Sequence, residues 1–162
     1  MDWFELQYAS DYFGPALYRL RLANADGQPI PIPTLIDGPD PSGIIDIGEG
    51  INFEQRRYQL ISGVEKCSGH SAGNLFRYLC LFTRLQEVHP GCRLQYTYRP
   101  AASKAEAEAW EAEAIKEYII RQGQLPILNR ELPRAYDDAV WNSVWDRVFG
   151  PVTDAPGLVP NT

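Results

Sequence analysis

Apolar and polar positions along the chain alternate first with period two and later with the spacing of a helix. Ala16 to Leu22 (ALYRLRL) predicts a half-buried strand with Tyr18 on the face of Leu20 and Leu22. Trp3 to Tyr8 alternates more loosely and predicts a short edge strand. Gly43 to Arg57 (GIIDIGEGINFEQRR) reads as strand, tight glycine turn and helix. Ile44, Ile45 and Ile47 favour a pleated, buried surface, Gly48 and Gly50 break the run, and Asn52 with Gln55 three residues on fits a capping box. This helix is predicted to run to about Ser62. Arg56 shares a face with Phe53 and Leu60, so it should point back toward the strand.

Gly63, Gly69 and Gly73 bracket a loop that contains His70, and Asn74 to Glu87 predicts a helix with Leu75, Tyr78, Leu79, Phe82 and Leu85 on one side. Cys92 to Arg99 alternates Leu94, Tyr96 and Tyr98 against polar partners, and Pro100 ends it. Ser103 can cap a helix through Gln122, with Glu106 at the capping-box position and Gly123 as the stop. At about 100° per residue, Glu111 falls between Ala107, Ile115 and Tyr118, near the middle of the apolar arc, whereas Glu113 and Glu117 fall on the far side. A carboxylate among core-facing residues is costly unless it is paired or metal-bound. A functional role and a buried ion pair with Arg56 both meet that requirement, and a mis-set helix boundary would remove it. An extended segment then ends at Asn129, Asp137 caps a last helix to Phe149, and Gly150 to Thr162 reads as a frayed tail. Ala23 to Ser42 is a long irregular loop rich in proline.

Composition changes this picture at three points. No apolar run reaches the roughly 18 residues of a membrane span, and the acidic start MDWFELQYAS is not a secretory signal, so the expectation is a cytoplasmic protein away from membranes. Cys67, Cys80 and Cys92 are odd in number and lack C-x-x-C spacing, which fits reduced buried thiols better than disulfides or a zinc site. The net charge of −6 is unevenly spread: residues 51–104 hold eight basic side chains against three acidic ones, a balance of +5. That segment can face a polyanion, and it equally fits ordinary solvated helix faces.

In order, the candidate residues are Tyr18, Asp46-Ile47-Gly48, Arg56, Glu111 and Asn129. Over residues 14 to 133 this resembles the GIY-YIG nuclease family. The first motif stands here as Ala16-Leu17-Tyr18 and the second as Asp46-Ile47-Gly48. Arg56 lies ten residues beyond the first position of the second motif, Glu111 stands seven before Tyr118, and Asn129 closes a G-x-L-P-x-L-N segment. The GHSAG sequence around His70 is similar to a loop of some members.

The resemblance implies an α+β fold, a small three-stranded antiparallel sheet flanked by helices in residues 1–133, to which the chain's own spacing adds a C-terminal helix at 134–150 packed on the same domain and a tail at 151–162. It implies an endonuclease that hydrolyses phosphodiester bonds of nucleic acid, DNA first. Glu111 would hold Mg²⁺ or Mn²⁺, Arg56 would bind phosphate, Tyr18 would position water and Asn129 would brace the site. Two positions depart from the pattern. The second motif's tyrosine is Asp46, a carboxylate of pKa ~3.9 where a phenol of ~10 is usual. Asp46 fits a general base, a second metal ligand or a degenerate site. Leu60 stands where a His or Tyr is common, which leaves His70 to do its proton chemistry. The alternative is therefore a catalytically degenerate GIY-YIG-fold binding or interaction module. The basic 51–104 segment would meet nucleic acid, and the C-terminal helix offers a contact for a second copy or a protein partner.

Overall fold

A computed structural model of the chain describes residues 2–34, 38–66, 73 and 86–129. His70, most of the helix expected at Asn74–Glu87, and the C-terminal helix and tail lie outside the described residues. The described elements are β1 (Phe4–Glu5), β2 (Ala16–Ala23), β3 (Ile44–Gly50), α1 (Phe53–Lys66), β4 (Arg93–Pro100) and α2 (Lys104–Gln122). They form a mixed α+β unit around an antiparallel sheet in the order β1-β4-β2-β3. The sheet therefore has four strands rather than three. The added one is the two-residue β1, which pairs Phe4 with Tyr96 and Glu5 with Gln95.

Alternation along β2 sends its side chains to two cores. Tyr18, Leu20 and Leu22 join Phe53 and Leu60 of α1 and Leu94 and Tyr96 of β4. Phe53 stacks on Tyr98 with ring centroids 4.4 Å apart. Leu17 and Ile47 face the other way, against Ala114, Ile115 and Tyr118 of α2. Each apolar side chain so buried contributes roughly 1.5–3 kcal/mol. The described part of the proline-rich loop is tied down: Ile30 and Ile32 are buried, and Ile32 bridges to Asp40.

The helix boundaries follow local chemistry. The Asn52 side chain accepts the Gln55 N–H at 3.0 Å, which starts α1. Ser103 accepts the Glu106 N–H at 3.1 Å, while Glu106 reaches back to the Ala102 N–H at 2.6 Å. Gly123, at φ 70°, ends α2 in the left-handed conformation that glycine adopts without a Cβ penalty. Helix α1 continues to Lys66, beyond Ser62. The expected glycine turn after Ile47 is absent, and β3 runs unbroken through Gly48 to Gly50.

Candidate active site

The two glycines of β3 make room rather than a turn. Tyr18 of β2 lies opposite Gly48, and Leu20 lies opposite Asp46. Cross-strand partners share a face, so the Tyr18 ring crosses the bare backbone of Gly48 toward Asp46. A methyl group at residue 48 would overlap that ring. The Tyr18 hydroxyl donates to Asp46 Oδ2 at 3.1 Å. Both residues are deeply buried, Tyr18 at 2% exposure and Asp46 at 3%. Burial pushes the Asp46 carboxyl up to about 7, against the opposing pull of the Tyr18 hydrogen bond, the Arg56 charge and the Ile47 amide. Burial, followed by the neighbouring Asp46 charge, also holds Tyr18 well above its ordinary value, so it stays a neutral phenol.

Gly50 serves Arg56 in the same way. A Cβ at residue 50 would lie 3.1 Å from Arg56 Cβ, so the arginine stem passes close over the strand end. The half-buried Arg56 makes one long hydrogen bond, from Nη1 to Gln59 Oε1 at 3.4 Å. Its Nε is buried with no hydrogen-bond partner.

Helix α2 supplies Glu111 from the other face of the sheet. Burial, and then the charges of Glu49 and Asp46, raise its carboxyl to about 7, with Arg56 acting in the opposite sense. The group is half-buried, neither on the outer surface nor sealed in the core. Glu49 belongs to the same neighbourhood, and sequence reasoning missed it. It lies opposite Leu17, the β2 residue that packs under α2. Its Oε2 is buried without a hydrogen-bond partner. The signal was present, because period-two alternation continued past Ile47 places Glu49 on the α2 face. The assumed turn at Gly48 hid it.

Asn129 reaches the site through the backbone. Its Oδ1 accepts the Ile47 N–H at 3.0 Å and its Nδ2 donates to the Ile47 carbonyl at 2.7 Å. The Leu128 N–H donates to Ile45 O at 2.9 Å, so this segment covers the outer edge of β3 on either side of Asp46. Tyr18, Asp46, Arg56 and Glu111 thus act on one another around β3, Asn129 holds the strand from outside, and Leu60 is 1% exposed in the core.

The basic segment is less available than its sequence implies. Arg57 is buried, donating to Glu54 Oε2 at 2.7 Å and to the Leu6 carbonyl at 2.6 Å. Arg93 pairs with Glu5 and Lys104 with Glu108. Arg56 and Arg99 have no carboxylate partner among the described residues.

Among the described residues, no three His, Cys, Asp or Glu side chains converge to enclose a metal ion. A hard cation such as Mg²⁺ needs fewer, since it keeps several waters and binds through one or two carboxylates plus substrate phosphate. Glu111, acted on by the charge of Glu49, whose Oε2 is buried and unsatisfied, fits that smaller donor set. Cys92, the one thiol described, is buried and pushed up by burial, which suits packing rather than metal binding. No described helix is long and apolar enough to cross a membrane. No protein-family model, curated protein or solved structure matches the chain.

Proposed function

We propose that the chain is a metal-dependent endonuclease of the GIY-YIG type that hydrolyses phosphodiester bonds of nucleic acid, DNA first. One observation carries the reading: around a carboxyl raised to about 7, an arginine donor and a glutamate acceptor are both buried and unsatisfied. Buried polar atoms are rarely left unpaired. A phosphate would take the free Arg56 N–H, and a cation would take the free Glu49 oxygen.

The residues divide the work by their chemistry. Arg56 binds a phosphate oxygen and offsets the charge that grows on phosphorus-bound oxygens in the transition state. Asp46, titrating near neutrality, is suited to accept a proton from attacking water. Tyr18 stays protonated and orients that carboxylate through its hydroxyl, so it positions rather than deprotonates. Asn129 fixes the strand that carries Asp46. Glu111, with Glu49 beside it, would hold Mg²⁺ or Mn²⁺, which when bound polarises the phosphodiester and stabilises the leaving oxygen.

Nicking of supercoiled plasmid tests this. Wild type is expected to cut with Mg²⁺ or Mn²⁺, and Glu111→Gln and Asp46→Asn to lose at least a hundredfold in rate, roughly the share of one acid–base or electrostatic group. Absence of metal-dependent cutting, or equal cutting by Glu111→Gln, overturns the proposal. A second reading, a binding module of this fold without turnover, has its own support: Tyr18 and Asp46 satisfy each other at 2% and 3% exposure. It expects nucleic-acid binding with no cutting in any metal.

A further inference from the structure

Arg99 sits on the α2 face of the sheet, in register with the candidate site. Glu49 on β3 lies opposite Leu17 on β2, and Leu17 lies opposite Arg99 on β4. The three form one row, and strand spacings of about 4.8 Å place Arg99 roughly 10 Å across the sheet from Glu49. Above the row, Trp110 immediately precedes Glu111 on α2 and packs against the Leu17–Ile115 cluster. The Arg99 guanidinium lies over the Trp110 ring, its Cζ 3.6 Å from the centroid.

The ring covers the flat face of the guanidinium and leaves its N–H edges free. The Arg99 side chain is exposed and makes no hydrogen bond or ion pair among the described residues. Burial lowers the pKa of Arg19, one same-face position along β2, with the Glu117 charge opposing that shift and the Arg99 charge adding to it. The result is a cation held in place by an aromatic platform, with its side-chain donors turned to solvent. No described carboxylate pairs with it, and the row ends at Glu49, whose charge acts on Glu111.

We propose that Arg99, stacked on Trp110, grips a backbone phosphate of the nucleic-acid strand next to the scissile one. The proposal rests on the endonuclease reading for its substrate, and it assigns that substrate a second point of contact on the far side of the site. Arg99 here is a positioning residue, one that fixes the strand and does no chemistry.

The test is fluorescence anisotropy of the full chain with a labelled oligonucleotide in EDTA, over a salt series. Removing one phosphate contact is expected to weaken binding roughly tenfold at low salt and to flatten the log–log salt slope by about one. Arg99→Ala should show both effects. Arg99→Lys keeps the charge, so it should keep most of the slope while losing affinity with the fork. Trp110→Leu, which leaves the cation unsupported, should weaken binding less than Arg99→Ala. Thermal melts of each variant separate these effects from unfolding. Unchanged affinity and slope in a folded Arg99→Ala overturn the proposal and leave the endonuclease reading to stand on plasmid nicking. Loss of binding in Arg99→Ala beside a wild type that never cuts keeps the phosphate grip and sinks the nuclease. A wild type with no salt-dependent binding overturns both.

Discussion

Replacing Asp46 by asparagine measures what a buried acid costs this fold. The Asp46 carboxyl titrates at about 7 in the folded protein against an ordinary 3.8. Between those values the native state holds a proton that the unfolded chain has lost. The stability contributed by the protonated group is therefore complete below 3.8 and is lost as pH rises through 7. The slope is about 1.4 kcal/mol per pH unit, so the loss from pH 5.5 to 7.0 is about 2 kcal/mol for Asp46 alone. Glu111, also raised to about 7, adds a smaller loss of the same sign, because its partial exposure screens it. The Asp46→Asn variant keeps an oxygen to accept the Tyr18 hydroxyl and cannot ionise. Its stability advantage over wild type should grow by about 2 kcal/mol from pH 5.5 to 7.0 and then level off. Urea melts of both proteins at fixed ionic strength, with a chelator present, give the difference directly. A difference that stays constant over this range refutes a buried, titrating Asp46, and with it the general-base assignment.

Three further outcomes follow from the same geometry. Mg²⁺ or Mn²⁺ should raise the melting temperature more at pH 8 than at pH 6, since Glu111 must lose its proton to bind; an equal rise at both pH values counts against a carboxylate site. Gly48→Ala should destabilise the protein by about 1–3 kcal/mol, because the new methyl and the Tyr18 ring cannot share the same space, and denaturant midpoints will show it. Glu54→Gln should cost about 2 kcal/mol by leaving the buried Arg57 without its charge partner. Arg57 holds the Glu54 carboxyl below its ordinary 4.5, so the stability this pair contributes is present above 4.5 and lost as pH falls. The acid limb of the wild-type stability curve should therefore flatten in Glu54→Gln.

Much of the scaffold was legible because its signals are local. Ser103, Glu106 and Gly123 mark the ends of α2 through hydrogen bonds within a few residues, and the structure places them as their chemistry demands. The face of Tyr18 followed from period two alone. What failed was local reasoning applied to a tertiary need. Gly48 and Gly50 read as breakers, yet they are strand residues kept bare for the ring of Tyr18 and the stem of Arg56. That error shortened β3 and concealed Glu49. Arg57 read as one more cation for a polyanion, whereas it is spent on the Leu6 carbonyl, fifty-one residues away, and on Glu54. The short edge strand expected within Trp3–Tyr8 is there as β1, trimmed to the two residues that pair with β4.

The amide of Asn129 has a consequence for self-association. The outer edge of a sheet offers a row of free N–H and C=O groups on which a second chain can zip. At Ile47 both groups are taken by one side chain, a two-toothed plug where a neighbouring strand would have to dock. The strand that carries the buried Asp46 can thereby stand at the rim of the sheet without lying open to its own kind. Replacing the plug would release adhesive backbone as well as loosen the strand under Asp46, so clumping and a weakened fold would arrive together.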